Sequence, residues 1–146
     1  MTLNNSAPDK EQGVMNRQIL ISGILVGGAG KAAYFTELDW VRKQCAEKLH
    51  FQPFPGTLNM QVDENCLALL EDLHHKPTID LVSPDPGFCN ARTLPASLNS
   101  LTVAIIIPDQ EVNIHGRNIL EIIAPVSLKK TLFLQDGDRI LLTVNG

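Results

Sequence analysis

A chain of 146 residues, 44% of them hydrophobic, can bury roughly 70% of its unfolded surface in one core, so it needs neither a disulfide framework nor a structural metal. A net charge of -4 with Lys and Arg mostly scattered singly argues against nucleic acid as the main partner, because binding a phosphate backbone calls for a basic face. No apolar run approaches the ~18 residues that span a bilayer and no charged-then-apolar leader opens the chain, so a cytoplasmic protein without membrane contact is expected.

Residues 1–17 are rich in Asn, Ser, Gln and Pro without periodicity and read as a flexible leader; residues 18–146 read as one domain. Ile19-Leu20-Ile21 and Ile24-Leu25-Val26 flank Ser22-Gly23, predicting a strand with a bulge or bend at Gly23. Gly27-Gly28-Ala29-Gly30 follows as a glycine loop. Gly28-x-Gly30-x-x-Ala33 satisfies a relaxed dinucleotide fingerprint, but no βαβ unit with an acidic residue closing a second strand follows it. Gly30-Lys31 lacks the earlier Gly and the following Ser/Thr of a P-loop. Two physical readings stay open: a flexible turn, or exposed N–H groups that approach an anion closely with Lys31 adding a point charge.

Thr36-Glu37-Leu38-Asp39 reads as a capping box, and Trp40, Val41, Cys45 and Leu49 at helical spacing predict a helix of about twelve residues ending near His50. Pro55-Gly56 is a sharp turn, and Thr57 through Val62 alternate polar and apolar as a half-buried strand does. Thr57 and Asn59 therefore share one face while Leu58 and Met60 enter the core. A hydroxyl and an amide oxygen so placed suit Mg2+, which takes few protein ligands and completes its shell with water and phosphate; they equally suit closing the turn onto the backbone.

Asp63-Glu64-Asn65 predicts the cap of a short helix through Leu73, closed by His74-His75-Lys76. Adjacent histidines do not share a helix face, so the pair reads as a solvated end. Ser83-Pro84-Asp85-Pro86-Gly87 is a loop. The segments Phe88 to Leu94, Leu101 to Ile107, Ile119 to Ile123 and Arg139 to Val144 are short, rich in β-formers and bounded by breakers, as strands are. Strands at such close spacing with few helices favour a small closed barrel with one or two short peripheral helices.

Within Ile119 to Ile123, Glu121 either faces solvent or meets a partner in a cleft, where it can take a proton from a hydroxyl. Val126-Ser127-Leu128-Lys129 opens a short helix after Pro125 and offers N–H groups and an ammonium to an anion. Leu134-Gln135-Asp136-Gly137-Asp138 is a tight turn into the last strand.

Taken together, Gly23 through Phe35, Phe54-Pro-Gly-Thr-Leu-Asn59, Ile107-Pro108, Glu121-Ile-Ile-Ala-Pro125 and Leu134-x-x-Gly-Asp138 resemble, in order and spacing, the CTP-dependent riboflavin kinases known mainly from archaea. The resemblance covers about Gln18 to Val144. It implies a mainly β fold, a six-stranded cradle-loop barrel, and phosphoryl transfer from CTP to the 5′-hydroxyl of riboflavin, giving FMN and CDP. It places nucleotide binding on Ala29, Gly30, Lys31, Ala32, Ala33 and Tyr34 and on Val126, Ser127, Leu128 and Lys129. It places Mg2+ on Thr57 and Asn59, and riboflavin contacts on Asn113 and Glu121, with Glu121 as base or anchor. A monomer is expected. The chain departs from the family pattern at Ala32, usually glycine, at Asn113, usually threonine, and at Lys129, usually arginine; the segment Asp109 to Asn118 is slightly longer than usual. Three alternatives stay open: a CTP-dependent kinase of another small alcohol, a non-catalytic nucleotide- or flavin-binding barrel, and a DNA-binding relative of the swapped-hairpin barrels, which the acidic charge disfavours.

Overall fold

Six strands close into an antiparallel barrel, and their alternating polarity decides which side faces in. The computed structural model describes residues 18–27, 31–87, 90–107 and 118–145, the side chains of residues 31–33 apart; the expected leader and Asn113 lie outside the described residues. The strands are β1 (Gln18–Val26), β2 (Leu58–Val62), β3 (Ile79–Leu81), β4 (Ala91–Leu98), β5 (Leu101–Ile107), β6 (Ile119–Ile123) and β7 (Arg139–Asn145). They run in the order β3-β4-β5-β6-β2-β1-β7, and β4 also pairs with β7, which closes the barrel and leaves β3 outside it.

The second edge of β4 is shared. Ala91–Thr93 pair with β3, Ser97 and Leu98 pair with β7, and Pro95 falls between the two segments, a place suited to a residue with no N–H to donate. The strand expected to end at Leu94 therefore continues to Leu98, because a proline that would end a central strand is tolerated in this gap; Phe88 and Cys89 lie outside the described residues.

Each barrel strand sends alternate residues inward. Ile21, Met60, Leu94, Ile105, Ile122 and Leu142 are all 3% exposed or less, and burial of each such side chain contributes about 1.5–3 kcal/mol. Gly23 is part of this wall. Its ladders to Val62 and to Ile140 run without a break in register, so there is no bulge; the requirement is close approach. A Cβ at this position would lie 2.4 Å from the Gln61 carbonyl oxygen and 2.7 Å from Met60 Cγ.

Helices cover part of the outer surface. They are α1 (Lys31–Glu37), α2 (Asp39–Gln44) continuing as a π turn over Cys45–Leu49, α3 (Leu67–His74) after a 3-10 turn at Glu64–Cys66, and α4 (Leu128–Thr131). Val41, Cys45 and Leu49, four apart, form a second core with Leu81, Ala91, Ala104 and Ile123 on the barrel's outer side. Burial pushes the Cys45 thiol up to about 11, so it stays neutral and serves as packing.

Three local expectations change in context. The helix expected to follow the capping box starts at Asp39, because the capping box at Thr36 does not form. Thr36 lies inside α1, α2 starts from an extended Leu38, and the buried Thr36 hydroxyl accepts the Gly56 N–H at 2.8 Å. Asp63 stands at the N-cap position without a side-chain capping bond; its carboxylate instead accepts from Ser22 Oγ at 2.6 Å and Arg139 Nη1 at 2.8 Å. Lys31 through Tyr34, which the resemblance counts with the nucleotide-binding loop, form the first turn of α1.

Candidate functional site

The Phe54–Thr57 turn is held from both sides. Phe54 N–H donates to Ala124 O at 2.7 Å, just past the end of β6, and Gly56 N–H reaches Thr36 on α1. Gly56 has φ +102, a conformation that side chains with a Cβ rarely adopt. This turn delivers Thr57 to the start of β2 with its hydroxyl on the outer face of the barrel.

Thr57 Oγ1 donates to Glu121 Oε1 at 3.3 Å. Asn59, two residues along the same face, pairs directly across the ladder with Glu121, and Glu121 pairs with Ile106 on its other side. Asn59 is also the partner of Val26, the last residue of β1, so the glycine segment leaves the barrel beside it. The hydroxyl, the amide and the carboxylate thus meet on one patch. Ala29 and Gly30 lie outside the described residues. Tyr34, in the first turn of α1, is 65% exposed.

Beside Thr57 opens a cleft of about 210 Å³, lined by Phe54, Pro55, Gly56, Leu58, Ile122, Ala124 and the segment Val126, Ser127, Leu128 and Lys129. Its apolar wall comes from the end of the barrel core, its polar rim from the start of α4. Ser127 caps that helix, its hydroxyl accepting the Lys130 N–H at 3.3 Å. Glu121 and Asn59 are not among the cleft's lining residues; Thr57 joins them to it.

Two residues enter that sequence reasoning passed over. Thr36 was absorbed by the capping-box pattern, and Asp136 by the Asp-Gly turn. Asp136 Oδ1 accepts from Lys129 Nζ at 3.0 Å. Gly137 N–H donates to Leu25 O at 2.8 Å and Leu25 N–H to Asp138 O at 2.9 Å, fastening this turn to the end of β1.

Among the described residues no three His, Cys, Asp or Glu side chains cluster as a metal site. Thr57, Asn59 and Glu121 form a different kind of set, a hydroxyl, an amide and a single carboxylate within one patch. The Thr57 hydroxyl and the Asn59 amide oxygen are hard donors of the kind Mg2+ accepts when water and phosphate complete its shell, so these two residues fit that ion. No helix among the described residues is long and apolar enough to cross a membrane.

Residues 25–144 match the family model of the CTP-dependent riboflavin kinase domain, described as a domain of unknown function, DUF120. The chain belongs to this family. It is 36% identical over 124 residues to a riboflavin kinase of Methanosarcina mazei, covering 83% of this chain and 54% of that protein. It is 35% identical over 127 residues to a riboflavin kinase of Pyrobaculum aerophilum, covering 82% of this chain and 58% of that one. A riboflavin kinase of Methanobrevibacter smithii is 36% identical over 121 residues, covering 82% of this chain and 95% of the relative. The chain thus spans about half the length of the Methanosarcina relative and nearly all of the Methanobrevibacter one. The family match takes in β2, β6, α4 and the turn before β7, the elements that build the patch and the cleft.

Proposed function

We propose that the protein is a CTP-dependent riboflavin kinase, transferring the γ-phosphoryl group of CTP to the 5′-hydroxyl of riboflavin to give FMN and CDP. Membership of the family and the riboflavin kinases among its relatives support the reading. The observation that carries it is the contact of Thr57 with Glu121, with Asn59 opposite on the adjoining strand. A carboxylate beside neutral oxygen donors can hold an attacking hydroxyl and a cation close together, which suits phosphoryl transfer because that reaction is mainly positioning and charge stabilisation.

Glu121 takes the proton of the riboflavin 5′-hydroxyl as that oxygen bonds to the γ-phosphorus. The bond from γ-phosphorus to the β,γ-bridging oxygen breaks, and the electron pair leaves with CDP. Val126, Ser127, Leu128 and Lys129 hold the nucleotide from the cleft side, and Ala29 through Tyr34 from the side of α1. The Thr57 hydroxyl and the Asn59 amide oxygen would hold Mg2+, which would neutralise triphosphate charge. Asn113 belongs to the acceptor side of the same reading. Lys129 supplies charge without the planar fork of an arginine, so it grips phosphate as a point charge.

The test is incubation of purified protein with Mg2+, riboflavin and CTP, ATP, GTP or UTP in turn, with FMN followed by chromatography. FMN forming with CTP is the expected result. FMN formed only with another nucleotide overturns the donor, CTP consumed only with a different alcohol overturns the acceptor, and CTP bound without turnover makes the barrel a binding module.

A further inference from the structure

Lys129 lines the cleft, yet its ammonium is already engaged. It donates to Asp136 Oδ1 at 3.0 Å, with the two side chains 48% and 55% exposed. An ion pair this exposed contributes little to folding. Its placement says more than its strength. Asp136 belongs to the turn fastened through Gly137 and Asp138 to Leu25, and its Oδ2 lies 3.4 Å from where a Cβ on Gly27 would stand. One carboxylate thus stands between Lys129, at the start of α4, and Gly27, where the glycine segment leaves β1.

We propose that Asp136 is a positioning residue for the nucleotide: anchored on the end of β1, it holds the Lys129 ammonium at the rim of the cleft, where a triphosphate between the two segments meets it. The inference rests on the kinase reading above. A lysine side chain loses rotamer entropy when it is ordered, and a partner that confines it beforehand lowers what that ordering costs on binding. Lys129 has three donors, so it can keep Asp136 and still donate to phosphate. Asp136 itself touches no reacting atom, and its effect passes through Lys129.

The experiment titrates CTP with Mg2+, without riboflavin, into wild type, Asp136→Asn, Lys129→Met and the double variant by calorimetry. Asparagine keeps the turn and removes the charge, and thermal melts confirm that each variant is folded. Asp136→Asn is expected to weaken CTP binding about two- to five-fold, as befits an exposed pair, and the loss should shrink at high salt. In the Lys129→Met background the same change should cost nothing further, and in turnover assays the KM for CTP should rise while that for riboflavin holds. Equal CTP affinity in wild type and Asp136→Asn, or a full additional loss in the double variant, overturns the inference while leaving the kinase reading standing. A folded wild type that binds no CTP overturns both.

Discussion

Asn59 and Glu121 stand directly opposite each other on β2 and β6, which puts an amide and a carboxylate on one patch although the strands carrying them are far apart in the chain. The proposed chemistry divides between them, so their variants should fail differently. Asn59→Ala should abolish Mg2+-dependent FMN formation at any Mg2+ concentration tested, with an unchanged thermal melt. Glu121→Gln keeps the shape and removes the base, and should lower kcat at least about 100-fold, the usual scale of a positioned general base, with CTP binding retained. Turnover of Asn59→Ala at the wild-type rate removes Asn59 from the site.

At Gly23 the barrel wall has no room for a side chain, since the nearest obstacle to a Cβ is the backbone of β2. Gly23→Ala should cost about 1–3 kcal/mol, the usual toll of overpacking, read as a lower urea midpoint at constant slope. A midpoint within error of wild type would mean that β1 and β2 separate freely.

Asp63 links the stability of the barrel to acid. The hydrogen bond from Ser22, then that from Arg139, hold its carboxyl below the usual carboxylate value. The unfolded chain therefore takes up the proton more readily than the folded one. The stabilisation is fully present above the ordinary carboxylate pKa of about 3.9 and fades as pH falls through the lower folded value. Asp63→Asn should flatten the acid limb of stability against pH, measured by urea unfolding from pH 7 down to pH 2. An unaltered limb would show that other carboxylates govern it.

Phe133 sits in a conformation that favours glycine. Its φ is +57, the residue is 87% exposed, and the following N–H of Leu134 closes back on Lys129 O at 2.9 Å, the arrangement that ends a helix through a left-handed residue. Phe133→Gly should raise stability by about 0.5–1 kcal/mol, because the relief of the left-handed strain exceeds the entropy that glycine adds to the unfolded chain. Thermal melts decide it, and a lower melting temperature would mean that the ring packs in solution.

Much of this was legible in the sequence because it is local. The alternation from Thr57 to Val62 specifies which side chains share a face, and Pro55-Gly56 and Asp136-Gly137 specify turns, since period and backbone freedom depend only on neighbours along the chain. The close spacing of short strands pointed to a small closed barrel, and the order of the family strings to its six-stranded form. What sequence reading misjudged were side chains whose local pattern had a stronger distant competitor. Thr36 fits a capping box but serves Gly56, and Asp63 fits a helix cap but is drawn to Ser22 and Arg139; the turn at Asp136 forms as read, and its ion pair to Lys129 is the part that the local pattern did not contain.

The sequence alone determined that Thr57 and Asn59 lie side by side and that Glu121 sits among apolar strand residues. Only the tertiary structure decided that these belong together, because the register of β2 against β6 and the closure of β4 on β7 are choices between strands remote in the chain. Such choices follow from how the whole core packs, as the tightness of β1 against β2 at Gly23 shows, and no window of neighbouring residues contains them.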